Sequence, residues 1–395
     1  MDLRLGAAAL LVWVVACKGE SSGPPPYVDA RAPCAQRDPL RRALFGDLHV
    51  HTRNSFDAWV FDVRTTPEDA YRFAQGAPLT LFEGSEAART VQLDRPLDFA
   101  AVTDHAEYLG EVSLCTTPGS EVYESATCRG YRAANDDTVV RFGLALTEDP
   151  PHRFSDVCGA DGRGCLDVAD GVWGRIQAAA DEAYDRSAAC RFTAFVGYEW
   201  TAVTAASNLH RNVIFRTGVV PPAPASYFEF PKLERFHQVL RSSCQDSLPG
   251  CDVLAIPHNA NWSNGNMFFV EAVEGDLAQA KARAEARAAL EPLLEVFQHK
   301  GDGECSEGLS GVSGAPDEQC DFEKLRRDFP DCGDGTGFGG VGGVGCVSCF
   351  DFFWGVLLKG FEEERRLGVN PYAFGVIAST DTHNGTPGYT REDDY

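Results

Sequence analysis

The feature that most constrains this chain is a form repeated five times: a short apolar run ending in histidine, aspartate or glutamate. The runs are Phe45–Thr52 (Phe-Gly-Asp-Leu-His-Val-His-Thr), Leu97–His105, Phe192–Glu199, Val253–His258 and Phe374–His383. Near-continuous apolar runs suit strands buried on both faces, as in parallel sheets and barrels. Their polar residues fall at the C-terminal ends, where barrels build their sites. In the first run, strand alternation sets Asp47, His49 and His51 on one face and Leu48 and Val50 on the other, so that two imidazoles converge. Of only nine histidines in 395 residues, five lie in these runs, a concentration that points to a metal centre.

The candidate ligands are histidines and carboxylates with no cysteine among them. That set suits a multinuclear zinc, manganese or iron site better than a structural zinc. Glu199 and Asp381 are the natural bridging carboxylates. Asp57, six residues after His51, can fold back as a further ligand or remain a plain loop aspartate. Such a cluster lowers the pKa of bound water and clamps the attacking and leaving oxygens of a displacement. A metal-bridging hydroxide is therefore the expected nucleophile, and the sequence has no Gly-x-Ser-x-Gly elbow to suggest another.

Asp plus Glu (58) exceeds Lys plus Arg (35), a net charge of -23 that argues against a nucleic-acid surface. Residues 1–17 read as a bacterial lipoprotein-type export signal, with Cys17 the residue to be acylated. Residues 18–43 read as a tether containing Ser-Ser-Gly-Pro-Pro-Pro, and 44–395 as one domain on the cell envelope. Fourteen cysteines suit an oxidising compartment. The close pairs Cys115/Cys128, Cys158/Cys165, Cys244/Cys251, Cys305/Cys320 and Cys332 with Cys346 or Cys349 read as loop staples.

Between the strands, Thr66-Pro67-Glu68-Asp69 starts a helix that Gly76 ends, and a hairpin follows over 79–82 and 90–93. Residues 110–170 read as an inserted loop region with little regular structure. Helices are expected near 172–187, 230–242, 275–290 and 351–367, and further strands at 210–215 and 293–299. His152 and His237 read as surface residues.

The ordered motifs Phe45–Thr52, Thr103-Asp-His105, Gly197-Tyr-Glu-Trp200, Pro257-His-Asn259 and Asp381–Gly388 resemble those of the PHP (polymerase and histidinol phosphatase) superfamily. The closest resemblance is to its relative, the domain of unknown function 3604 family. The resemblance implies an α/β fold, a distorted seven-stranded barrel with Cys-stapled loop insertions, and two or three divalent ions. It places His49, His51, Asp57, His105, Glu199, His258, Asp381 and His383 among the ligands, with His210 at the remaining histidine position. Asp104 is expected to orient a ligand from behind, and His299 to face substrate or stand just outside the ligands. Arg53 and Arg211, next to ligand motifs, hint at a small anionic ester. The chain stops twelve residues after His383, where relatives continue, so a shortened product lacking a covering helix is also expected. An exported phosphoesterase is the leading expectation. Hydrolysis of an amide, lactone or sulfate ester, or a non-catalytic metal-binding lipoprotein, are the alternatives.

Overall fold

A computed structural model describes residues 31–36, 40, 42–268, 276–312, 317, 319–333 and 335–390. The expected signal and Cys17 lie outside the described residues. The strands are β1 (Gly46–Asp47), β2 (Leu79–Leu81), β3 (Arg89–Val91), β4 (Phe99–Val102), β5 (Thr193–Trp200), β6 (Arg211–Phe215), β7 (Val253–Pro257), β8 (Leu293–Gln298), β9 (Gly301–Asp302) and β10 (Gly375–Ala378). A five-stranded sheet runs in the order β1-β4-β5-β6-β7, a three-stranded one in the order β10-β8-β9, and β2-β3 form the expected hairpin.

β1, β4 and β5 are parallel, and β6 runs antiparallel to both β5 and β7. β10 lies parallel to β8. The five-stranded sheet curls as a half-barrel. Its concave face packs Ala101, Ile214 and Ile256 against Leu48, Phe195 and Leu254, with Leu293 and Ile377 contributed by the second sheet. A parallel bridge between Val50 and Thr382 joins the chain after β1 to the chain after β10.

Helices cover the convex side. Arg163–Ala183 buries Val172, Trp173, Ile176, Ala179 and Ala180, one stripe at helical spacing. Trp173 meets Tyr198 of β5 edge-on at 5.7 Å between centroids, and its indole N–H donates to Pro221 O at 2.9 Å. Helix Pro67–Ala74 has the capping box its sequence announces: Thr66 Oγ1 accepts from Asp69 N, and Asp69 Oδ2 accepts from Thr66 N.

The structure departs from expectation in four places. The first motif is not an unbroken strand. Asp47 Oδ1 accepts the His49 N–H at 3.1 Å, a local bond that competes with the sheet ladder and bends the chain at Leu48. Leu48 therefore joins the concave cluster while Val50 packs in the outer core. Residues 110–170 are largely helical, in Leu109–Thr116, Ala126–Arg132, Asp136–Thr147, Ser155–Cys158 and the start of Arg163–Ala183. These short helices bury Tyr108, Tyr131, Phe142 and Phe154 together, and the disulfides Cys115–Cys128 and Cys158–Cys165 tie them. Third, the end of the expected tether is fastened: Cys34 is bonded to Cys190, and the Ala32 and Ala35 amides donate to Arg186 O and Ala188 O. His237, the fourth, is buried rather than on the surface.

Six disulfides form among the described residues, including Cys244–Cys251, Cys305–Cys320 and Cys332–Cys346, and leave buried Cys349 free. This density fits an oxidising compartment. No helix among the described residues is long and apolar enough to cross a membrane.

Candidate metal centre

Strand direction explains why distant motifs meet. His105 follows β4, Glu199 is the penultimate residue of β5, His258 follows β7, and Asp381 and His383 follow β10. His210 precedes β6, but β6 is antiparallel to its neighbours, so its start lies at that same end. His49 and His51 follow β1.

At the centre, two imidazole nitrogens face two carboxylate oxygens. His49 Nε2 lies 3.3 Å from Glu199 Oε2 and 3.2 Å from Asp381 Oδ1, and His51 Nε2 lies 3.3 Å from both. Ligands about 2.0–2.1 Å from a tetrahedral ion stand roughly 3.3 Å apart, the spacing of these four nitrogen–oxygen pairs, and His49, His51 and Asp381 make one candidate ligand group and His49, Glu199 and His258 another. His258 Nε2 approaches Glu199 Oε2 at 3.7 Å. The other Glu199 oxygen faces His210 Nδ1 at 2.7 Å and His105 Nδ1 at 3.3 Å, so its two oxygens look toward different histidines. Asp57 does fold back: its Oδ2 is 3.2 Å from His105 Nε2 and 3.1 Å from His383 Nε2. His51, His105 and His383 form a third group of converging donors, and His299, Asp381 and His383 a fourth.

Several of these buried atoms lack hydrogen-bond partners: His51 Nε2, His210 Nε2, His258 Nε2 and Asp381 Oδ1. An unsatisfied buried polar atom costs about 1–3 kcal/mol. These four lie on candidate ligands, and the buried clusters can hold metal ions. The comparable grouping of Glu111 with Cys158 and Cys165 cannot do so through sulfur, because those two sulfurs are bonded to each other.

The electrostatics suit metal binding at the three carboxylates and at His210, His258 and His383. Burial alone would raise the carboxyl pKa values of Glu199, Asp57 and Asp381. The surrounding histidines, with Lys300 beside Asp381, overcome this and hold all three well below the usual range. Burial holds the His210, His258 and His383 imidazoles below their ordinary value. Burial also opposes charge on His49 and His105, but facing carboxylates raise both well above it: Asp381 and Glu295 for His49, Glu199 and Asp57 for His105. Ionised carboxylates and neutral imidazoles are the forms that bind metal.

The ligands are oriented from behind. Asp104 is fully buried and Oδ1 accepts from Ser55 Oγ at 2.8 Å, while Ser55 Oγ lies 2.9 Å from His51 Nδ1. Thr52 N and Oγ1 also donate to Asp104. Asp104 thus acts through Ser55 on His51. Asp47 accepts from Thr380 Oγ1 at 2.5 Å and Gly388 N at 2.8 Å, tying the first motif to the last.

Glu295 was not among the expected site residues. Mid-strand in β8, it puts Oε1 2.9 Å from His49 Nδ1. A lone acid inside the apolar run Leu293-Leu-Glu-Val-Phe297 is the one signal that could have exposed it. Lys300 was missed too. Its ammonium meets Asp381 Oδ2, and His299 Nε2 reaches the same oxygen at 3.3 Å.

Of the two expected arginines, Arg211 stands elsewhere. Arg211 follows His210 and so turns to the opposite face. There it is fully buried, with Nε 3.0 Å from Glu291 Oε1, in a cluster that also holds His237 and Arg287. Arg53 is exposed, and its guanidinium makes no ion pair among the described residues.

The fold and site define a mixed α/β protein with a buried histidine–carboxylate centre able to hold metal ions. The chain belongs to the family described as "Protein of unknown function (DUF3604)", whose model matches residues 38–395. Comparison with curated proteins and with solved structures returned no match.

Proposed function

We propose that the chain is an exported, metal-dependent hydrolase of anionic esters, with phosphoesters the leading substrates. The observation that carries the reading is that His49 Nε2 and His51 Nε2 each lie 3.2–3.3 Å from both Glu199 Oε2 and Asp381 Oδ1. Bound divalent ions, zinc, manganese or iron and about two or three in number, supply an activated water and neutralise charge on the ester oxygens. His49 and His51 hold one position, the two Glu199 oxygens reach toward separate histidine groups, and Asp57 with His105 and His383 forms the outer end. Glu295 and the Asp104–Ser55 pair fix the rings of His49 and His51.

A relationship to the PHP superfamily and a seven-stranded barrel belong to the same reading. They are supported by the concave cluster drawn from both sheets and by the Val50–Thr382 bridge. Acylation at Cys17 fits a protein whose disulfides form in an oxidising compartment.

The test is an assay panel of phosphate mono- and diesters, sulfate esters, lactones and amides, on protein loaded in turn with zinc, manganese and iron(II). Turnover of phosphoesters that chelation abolishes and metal restores is expected. Fully metallated protein inert on every compound would refute the hydrolase.

A further inference from the structure

We propose that Lys300 is the substrate-binding cation of this centre and selects a negatively charged substrate group, an inference that rests on the hydrolase reading above. The ligand set has a closed side and an open side. His49, His51, His258, Glu199 and Asp381 are buried, whereas 46% of the His299 side chain and 27% of the Lys300 side chain are exposed. A substrate enters on the side where these two residues, with Asp57 and His383, reach solvent.

The β8–β9 turn holds them there. Asn261 Nδ2 donates to Lys300 O at 3.0 Å, and Gly301 takes φ +89°, a left-handed conformation that glycine adopts without strain. The backbone is fixed while the long stem keeps its reach. Among the described residues, Lys300 is the one lysine or arginine in an ion pair with a candidate ligand, since Arg211 is committed to Glu291 and Arg53 makes no ion pair.

An ammonium in this place has a consequence once cations bind. Asp381 then shares its charge with the ions, and Lys300 is repelled by them unless an anion joins it. A phosphoryl or similar anionic oxygen at the mouth meets both demands, the ions on one side and the lysine point charge on the other.

The experiment measures inorganic phosphate binding by calorimetry to manganese-loaded wild type, K300M, K300Q and K300R, with metal content determined for each. K300M and K300Q should bind phosphate about 10–100-fold more weakly at unchanged metal content, the size of a lost charge-assisted hydrogen bond. K300R should keep most of the affinity. Wild-type affinity in K300M and K300Q, or no phosphate binding by the wild type, would overturn the proposal. Loss of metal in both neutral variants would overturn it too, by showing that Lys300 serves to hold Asp381. Weakened phosphate binding in a protein that turns over no ester would uphold Lys300 and count against the hydrolase, so the two readings fail separately.

Discussion

His49 Nδ1 lies 2.9 Å from Glu295 Oε1, and neither side chain reaches solvent. A carboxylate in this place holds the ring with Nε2 aimed at Glu199 and Asp381 and makes that nitrogen a better donor to a metal. Glu295→Gln keeps the shape and weakens the orienting bond. It should lower metal affinity about 10–100-fold, read by titration against a competing chelator. Unchanged affinity would show that Glu295 merely fills space.

Asp104 acts one bond further back, through Ser55. Asp104→Asn keeps volume and one acceptor oxygen, so metal should stay bound under saturating conditions while turnover falls, about tenfold. Ser55→Ala should do the same, and the double variant should be little worse than either single one, because the residues act as one chain. Fully additive losses would break that link.

Much of this site was legible in the sequence because its signals are local. An apolar run ending in histidine or carboxylate needs no partner to be recognised, and seven residues from His49 to His383 were placed that way. What escaped depends on the third dimension. Glu295 gains its meaning from a partner 246 residues away, and Lys300 from Asp381, 81 residues on. Arg211 lies next to His210 in sequence but pairs with Glu291 on the other face, because neighbours in a strand point apart. The helices of 110–170 were hidden by their brevity and by the Gly and Cys residues that punctuate them.

The buried cluster of Arg211, Glu291, His237 and Arg287 gives stability a pH dependence. Burial lowers the His237 pKa below its ordinary 6.5, and Arg211 and Arg287 override burial to hold Glu291 well below 4.5. The folded protein thus binds fewer protons than the unfolded chain, so stability falls with acidification, from about pH 6.5 for His237 and about 4.5 for Glu291. Glu291→Gln strands the buried Arg211 and should cost about 3–5 kcal/mol in denaturant unfolding. It should also flatten the acid limb, and an acid limb unchanged in the variant would contradict this assignment.

The Cys34–Cys190 bond closes a far longer loop than its neighbours, 156 residues against 7 for Cys158–Cys165. Loop-closure entropy predicts that replacing both Cys34 and Cys190 by serine costs more than the same change at Cys158 and Cys165, about 5 against about 2 kcal/mol. Unfolding curves of the two double variants would show whether the order holds.

The central claim is that His49, His51, Glu199 and Asp381 are metal ligands. It is tested most directly by elemental analysis of folded protein purified without added metal, beside His51→Ala and Asp381→Ala. The wild type should carry zinc, manganese or iron at about one ion or more per chain. Each variant should lose at least one of those ions while keeping its fold by circular dichroism. A folded wild type that holds none, and takes up none on dialysis against each metal, would contradict the account.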